Sequence, residues 1–275
     1  MKYLIKEMIK PIYHYIKDEN LREFCRLYNK YGKHKRFERV DNVKFLDYII
    51  DVPDLPSFIW QFKEIFVDEI YRFESESDKP IIYDCGANIG ISILYFKRIY
   101  PYSKIKAFEA DPVISEILEI NLQKNNINDV EVVEKAVWVD YSGVHFGVEG
   151  ADGGSIFQTN RSLIKVESIK LKDFLEKESH IDLLKMDIEG AEYDVILDCN
   201  ESLRKAKYLF IEYHSLTNQS QKLDKILKIL RNNNFRYYLE NVNNKIKHPF
   251  MRQIKGDMDL QVNIWAIRND KKIFN

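Results

Sequence analysis

From residue 81 onward, short apolar runs alternate with amphipathic stretches of about ten residues, and that alternation restricts the chain to a sheet built by crossovers. "IIYDC" (81–85), "KIKAFEA" (104–110), "VEVVEKAVW" (130–138), "IDLLKMD" (181–187) and "YLFIEYH" (208–214) read as strands. The intervals predict helices over about 89–99, 112–125 and 171–178, from 190, and over 218–233, while "FRYYLE" and "QVNIWAIR" read as two closing β runs. Strands separated by helices pair in parallel through right-handed crossovers, which place every strand C-terminus on one edge of the sheet. Ligands of open sheets bind at that edge, beside the switch in strand order. Residues that end such strands are therefore candidates for ligand contact.

The 275 residues, 45% of them hydrophobic, are enough for one large α/β domain with additions. "SFIWQFKEIFVDEIYRF" (57–73) is dense in aromatics, and the polar "ESESDKP" that follows ends in a proline that cannot continue a helix. This places a boundary near residue 75, with an N-terminal helical extension over 1–75 and the α/β domain over 76–275. In the extension Leu4, Ile5, Met8, Ile9, Ile12, Tyr13 and Ile16 recur at helical spacing among lysines, with Pro11 as a kink. Such a basic amphipathic helix either packs on the domain or on a second copy, giving a homo-oligomer, or makes peripheral contact with an anionic membrane.

Residues 1–40 carry eleven Lys/Arg against five Asp/Glu, a net +6, whereas the whole chain is at −1. A near-neutral chain has no global pull toward nucleic acid, and no nucleic-acid partner is expected. The start of the chain has neither the continuous apolar core of a signal peptide nor the length of a membrane span. Cys25, Cys85 and Cys199 are odd in number and far apart. Together these point to a cytoplasmic protein.

"YDCGANIGIS" (83–92) supplies an acid at a strand end, Asp84, then Gly86 and Gly90 around a tight loop, then a helix N-terminus that attracts an anionic group. The dinucleotide pattern G-x-G-x-x-G fails because position 88 is Asn. Strand two ends at Glu109 in "AFEADP", where a carboxylate can accept from two ribose hydroxyls. Asp84, the loop and Glu109 offer partners for an amine, a carboxylate and a ribose, which is what S-adenosylmethionine requires.

"DCGANIG", "AFEADP", "EKAVW", "LLKMDIEGAEYDV" and "IEYHS", in this order and spacing, resemble the FkbM family of S-adenosylmethionine-dependent methyltransferases. The resemblance covers about residues 55–268. It implies a Rossmann-like class I methyltransferase fold, with a seven-stranded, mostly parallel sheet, the last strand antiparallel and helices on both faces. It implies O-methylation of a sugar or natural product, here a saccharide or glycolipid acceptor of a surface glycan. By position it implies Asp84, Gly86, Ala87, Asn88 and Gly90 around the methionine end, Glu109 at the ribose, and Lys135, Ala136 and Val137 with Ala110 at the adenine. "DGGS", residues Asp152, Gly153, Gly154 and Ser155, either faces the acceptor or forms a hairpin turn.

A sugar hydroxyl is a weak acid, so transfer needs a base beside the acceptor oxygen. Asp187, Glu189 and His214, at the ends of strands four and five, are the candidates, with His214 nearest in ordinary pKa. Asp187 could instead cap the next helix, and His214 could satisfy a neighbouring backbone group. A magnesium ion on Asp187 and Glu189 is left open, and no metal is expected. Lys245, Lys247, Arg252 and Lys255 form either a phosphate contact or a solvated loop. The rival readings are a nicotinamide-dependent oxidoreductase and a non-catalytic binding module on the same fold.

Overall fold

The computed structural model describes residues 17–147, 163–242, 248–251 and 258–269. The amphipathic helix expected over the first sixteen residues, the "DGGS" loop and the basic residues Lys245, Lys247, Arg252 and Lys255 lie outside the described residues. Helix α1 (Glu19–Tyr31) starts at Asp18, whose carboxylate accepts from the Leu21 amide at 2.9 Å. Strands β1 (Val40–Phe45) and β2 (Tyr48–Val52) then form an antiparallel hairpin. The segment expected to be a helical extension is therefore mixed. Its turn puts Leu46 at φ 44°, where Gly or Asn would be the usual sequence signal, so the hairpin is hidden from a composition-based reading. Helix α2 (Leu55–Phe62), with Pro56 in its first turn, runs into one wide turn over Lys63–Val67, closed by the Asp68 amide donating to the Lys63 carbonyl at 2.9 Å.

The α/β part runs β3 (Ile81–Cys85), α3 (Ile91–Ile99), β4 (Lys104–Glu109), α4 (Pro112–Lys124) and β5 (Val130–Glu134). Short strands β6 (Ala136–Trp138), β7 (Val144–Gly147), β8 (Leu163–Val166) and β9 (Ser168–Lys170) follow, then α5 (Leu171–Lys177). The chain closes through β10 (Ile181–Met186), α6 (Glu192–Cys199), β11 (Ala206–Leu216), α7 (Leu223–Asn232), β12 (Phe235–Asn241) and β13 (Met258–Arg268). Seven strands make one sheet in the order β12-β13-β11-β10-β3-β4-β5, with β13 antiparallel to both neighbours. This is the Rossmann-like, mostly parallel sheet that the sequence leads one to expect. All six residues of β10 are buried, as befits a central strand covered on both faces.

The third strand differs from expectation. Residues 130–138 do not form one strand, because the Lys135 amide donates back to the Val133 carbonyl at 2.9 Å and breaks the ladder. The Ala136 amide then donates to Glu167 at 2.9 Å, and β6 leaves the main sheet to pair in parallel with β9.

The strand order reverses between β3 and β10, so the crevice of the sheet opens at their C-terminal ends. Their register sets Asp84 opposite Lys185 and Cys85 opposite Met186. One apolar cluster joins the β1–β2 hairpin and α2 to α3 and α4, through Phe45, Phe58, Phe62 and Phe66 against Leu94, Tyr95 and Leu118. A second lies under α5, α6 and α7.

Candidate active site

A cavity of about 570 Å³ occupies this crevice. Its first wall is the loop from β3 into α3. Gly86 is at φ 85°, and a Cβ there would lie 1.8 Å from the Asp187 carbonyl oxygen, so the close passage of β3 and β10 admits no side chain. Asn88 also takes a left-handed backbone, at φ 49°, and its amide donates to Glu109 Oε2 at 2.8 Å. The Gly86 and Ala87 amides both donate to the Phe108 carbonyl at 3.0 Å. The loop's amides are thus occupied within the protein. Ile91 and Ser92, in the first turn of α3 where helix amides lack intrahelical partners, line the cavity.

Asp84 and Gly90 were expected in this wall, and neither lines the cavity. Asp84 is fully buried behind the loop, 3.0 Å from Lys185 Nζ and accepting from Ser92 Oγ. Lys185 also donates to the Gly86 carbonyl at 2.8 Å, so the Asp84–Lys185 pair fixes the loop from behind. Gly90 packs against Leu118, whose Cδ1 would be 2.6 Å from an added Cβ.

Glu109 lies at the end of β4 and accepts from the amides of Asn88 at 2.8 Å and Asp111 at 2.9 Å. Burial pushes its pKa up to about 7, against the pull of those amides. Ala110, Lys135, Ala136 and Val137 line the cavity beside it, together with Phe108 and Ile114. The break at Lys135 makes this wall, since it turns three residues of the expected third strand away from the sheet.

The floor is acidic. Asp187, Glu189 and Glu212 line the cavity, and His214 stands behind them with its side chain 1% exposed. Its Nδ1 is 3.0 Å from Glu192 Oε1, and its Nε2 is 3.6 Å from Glu212 Oε1 and 3.8 Å from Glu189 Oε2. Burial opposes a charge on His214, but Glu189, Glu192 and Glu212 outweigh it and hold the imidazole pKa well above its ordinary value. His214, expected from sequence as the base, is absent from the cavity lining and stands one layer behind Asp187, Glu189 and Glu212. Its ring is held by a carboxylate and not by a backbone group. Asp187 is shifted upward, by burial first and then by Glu212. Glu212, although burial would raise it, is held low by its bond with His214.

Asp187 does not cap the following helix. Helix α6 has Ala191 at its N-cap with no side-chain bond, and the amides before it are taken by Glu192, which accepts from Gly190 at 3.0 Å and Ile188 at 3.2 Å. The turn that allows this puts Glu189 at φ 54° and Gly190 at φ 106°.

Residues 84–237, more than half of the chain, match the methyltransferase FkbM domain. The chain belongs to the FkbM methyltransferase family. Methyltransferase sdnD of Sordaria araneosa is 31% identical over 182 residues, covering 51% of this chain and 68% of that protein. The 2-O-methyltransferase NoeI of Sinorhizobium fredii is 28% identical over 159 residues, 50% of this chain and 65% of that one. The crystal structure of methyltransferase FkbM from Methylobacillus flagellatus aligns at TM-score 0.44 and 16% identity, over 70% of this chain and 45% of that one. Membership in the FkbM family sets aside the oxidoreductase reading.

The opposite wall of this methyltransferase's cavity escapes the sequence reading. Arg36, Ser57, Trp60, Gln61, Glu64 and Tyr71 line it from the segment before the first core strand. Burial, and then Glu212, pushes Glu64 up to about 7. Lys185 and Glu192 were also missed, though each leaves a trace. A lysine inside an otherwise apolar strand demands a buried partner, and "EGAE" supplies a second acid one helical turn from the first. No helix among the described residues is long and apolar enough to cross a membrane.

Proposed function

We propose that the protein is an S-adenosylmethionine-dependent O-methyltransferase acting on a saccharide hydroxyl in the cytoplasm, on a surface glycan or glycolipid precursor. One observation carries the reading: a single cavity joins an end anchored by Glu109 to an acidic end at Asp187 and Glu189, past the Gly86–Asn88 loop. A nucleoside fits the first end, with Glu109 accepting ribose hydroxyls and Ala110 and Lys135–Val137 against the adenine. The α3 amides at Ile91 and Ser92, with Arg36, suit the methionine carboxylate. The acidic floor favours a sulfonium.

S-adenosylmethionine supplies a methyl group on a good leaving atom, so this chain has to align the acceptor and remove a proton. With S-adenosylmethionine bound, the acceptor hydroxyl would be held toward the acidic floor, where Asp187 and Glu189 are the candidates to receive its proton. Phe108, Ile114, Ile65 and Tyr71 give the cavity apolar walls that exclude water. The saccharide is supported by the cavity mouth, where Trp60, half exposed, stands beside Ser57, Gln61 and Arg36. A flat ring among polar groups is a surface that takes a sugar's C–H face and hydroxyls together. The name of the relative NoeI supports transfer to oxygen.

Calorimetric titration with S-adenosylhomocysteine tests the first step, with NADH as comparator. Binding of the former alone is expected, lost in Glu109→Ala. If neither ligand binds, the cofactor assignment fails. Binding without turnover across a panel of glycan acceptors would favour a non-catalytic module.

A further inference from the structure

The acidic floor contains more than a base requires. Asp187, Glu212 and His214 each present a donor atom, and these atoms lie within 4.8 Å of one another. We propose that they bind a divalent cation of the manganese or zinc class, so that the methyl-transfer site of the preceding section works with a bound metal ion.

Four observations lead there. First, the imidazole is oriented from behind. Glu192 is fully buried, its oxygens accept from the amides of Ile188 and Gly190, and it meets His214 Nδ1 at 3.0 Å. A carboxylate holding one ring nitrogen of a buried histidine fixes the ring and turns the other nitrogen outward as a donor, the arrangement found behind metal-ligating histidines. Second, that outward nitrogen, Nε2, lies among the Gln261 amide nitrogen at 3.4 Å, Glu212 Oε1 at 3.6 Å and Glu189 Oε2 at 3.8 Å. The ion would take the place of the Nε2 proton, and two donors 3.6 Å apart can both reach it at roughly 2.1 Å, the usual bond length for such ligands.

Third, no hydrogen bond reaches the Asp187 carboxylate among the described residues. Its nearest cation is Lys185 Nζ at 3.8 Å, and that lysine is engaged more closely, at 3.0 Å, by Asp84. The Asp187 side chain is 27% exposed, so its oxygens are open to a ligand entering from the cavity. Fourth, the register builds the cluster on rigid elements. Glu212 and His214 are two residues apart on one face of β11, Asp187 directly follows the neighbouring β10, and Gln261, opposite His214 on β13, holds Glu212 in place. The imidazole among the donors selects against magnesium, which prefers oxygen ligands and retained water.

An ion at this point lies at the edge of the cavity, where it can orient the acceptor hydroxyl and ease loss of its proton. Glu189, beside the ion but outside the ligand set, remains to receive that proton. Glu192 is then a positioning residue that acts through His214.

The test is direct. Purified chain stripped with chelator is titrated with Mn2+ and the free ion followed by electron paramagnetic resonance. The same samples are titrated with S-adenosylhomocysteine. One bound Mn2+ per chain is expected, lost in Asp187→Asn and in the volume-conserving Glu212→Gln, weakened about 10- to 100-fold in Glu192→Gln, and displaced by Zn2+ more readily than by Mg2+. No Mn2+ binding at millimolar metal, or equal binding by wild type and both ligand variants, would overturn the proposal. If S-adenosylhomocysteine binds while Mn2+ does not, the metal site falls and the methyltransferase reading stands. If neither binds, both fall.

Discussion

Glu109 combines charge and burial at the position proposed for the ribose, which makes its ionisation readable. Its pKa of about 7 means that the folded chain holds a proton the unfolded chain, with its carboxylate near 4.5, has already lost. In the unliganded protein this costs stability progressively as pH rises from 4.5 toward 7, and the cost is complete above that. In the proposed site ribose hydroxyls would donate to the ionised carboxylate, so ligand binding would have the opposite preference. Affinity for S-adenosylhomocysteine is expected to weaken as pH falls below about 7, approaching tenfold per pH unit. Glu64, also near 7, lines the same cavity, so the diagnostic quantity is the difference between wild type and Glu109→Gln, which should bind more weakly and with a flatter profile. Calorimetry from pH 5 to 8 measures it, and parallel profiles would remove Glu109 from the ribose site. The position of Glu109 at a strand end was legible in "AFEADP" because topology sets where strands end. The carboxylate partner of His214 was not, since Glu192 is brought to it by a turn whose geometry no short pattern announces.

At the scale of elements, Asn121 is one of several side chains, with Lys124 and Asn125, that tie the hairpin to the α/β core. Asn121 of α4 accepts from the Asp51 amide at 2.6 Å and donates to the carbonyls of Asp51 at 3.1 Å and Ile89 at 3.0 Å, while itself 1% exposed. Replacing it with Ala leaves three backbone groups without their partner in a buried setting. A loss of about 3 kcal/mol is expected in urea unfolding, given the penalty for each unsatisfied group after partial relaxation. A loss below about 1 kcal/mol would mean that water replaces the amide. The core strands and helices were legible because hydrophobic periodicity is a local property, and α3, α4, β10 and β11 fall within a few residues of the reading. Two things were hidden. The β1–β2 turn uses Leu46 where a glycine or asparagine would have marked it, and the break at Lys135 is enforced by the partner strand β9, thirty residues downstream.

For the whole molecule, the question is whether a boundary near residue 75 separates two units. The cavity argues that both sides serve one site, since Arg36, Trp60, Gln61 and Glu64 face the Gly86 loop and Asp187 across it. The core argues the same for folding. Phe45, Phe58, Phe62, Phe66 and Tyr71 are buried in a cluster that continues into Leu94, Tyr95, Phe96, Leu118 and Phe210, and Tyr71 stacks edge-on to Phe210 at 4.8 Å. The last strand is tied to the same segment, with Trp265 Nε1 donating to the Ile70 carbonyl at 2.6 Å. Each aromatic ring buries about 150–250 Å², so removing residues 1–75 would uncover a patch well above the several hundred Å² that soluble monomers expose. The chain from residue 76 onward is therefore expected to aggregate or to lose cooperative thermal unfolding, whereas the full chain melts in one transition. A truncated chain that stays monomeric in gel filtration and melts cooperatively would show that the α/β part is a unit in its own right. The N-terminal segment would then serve only as the far wall of the site. Binding of S-adenosylhomocysteine by such a fragment would further assign that wall to the acceptor and not to the cofactor, because every residue proposed to hold the nucleoside lies beyond residue 75.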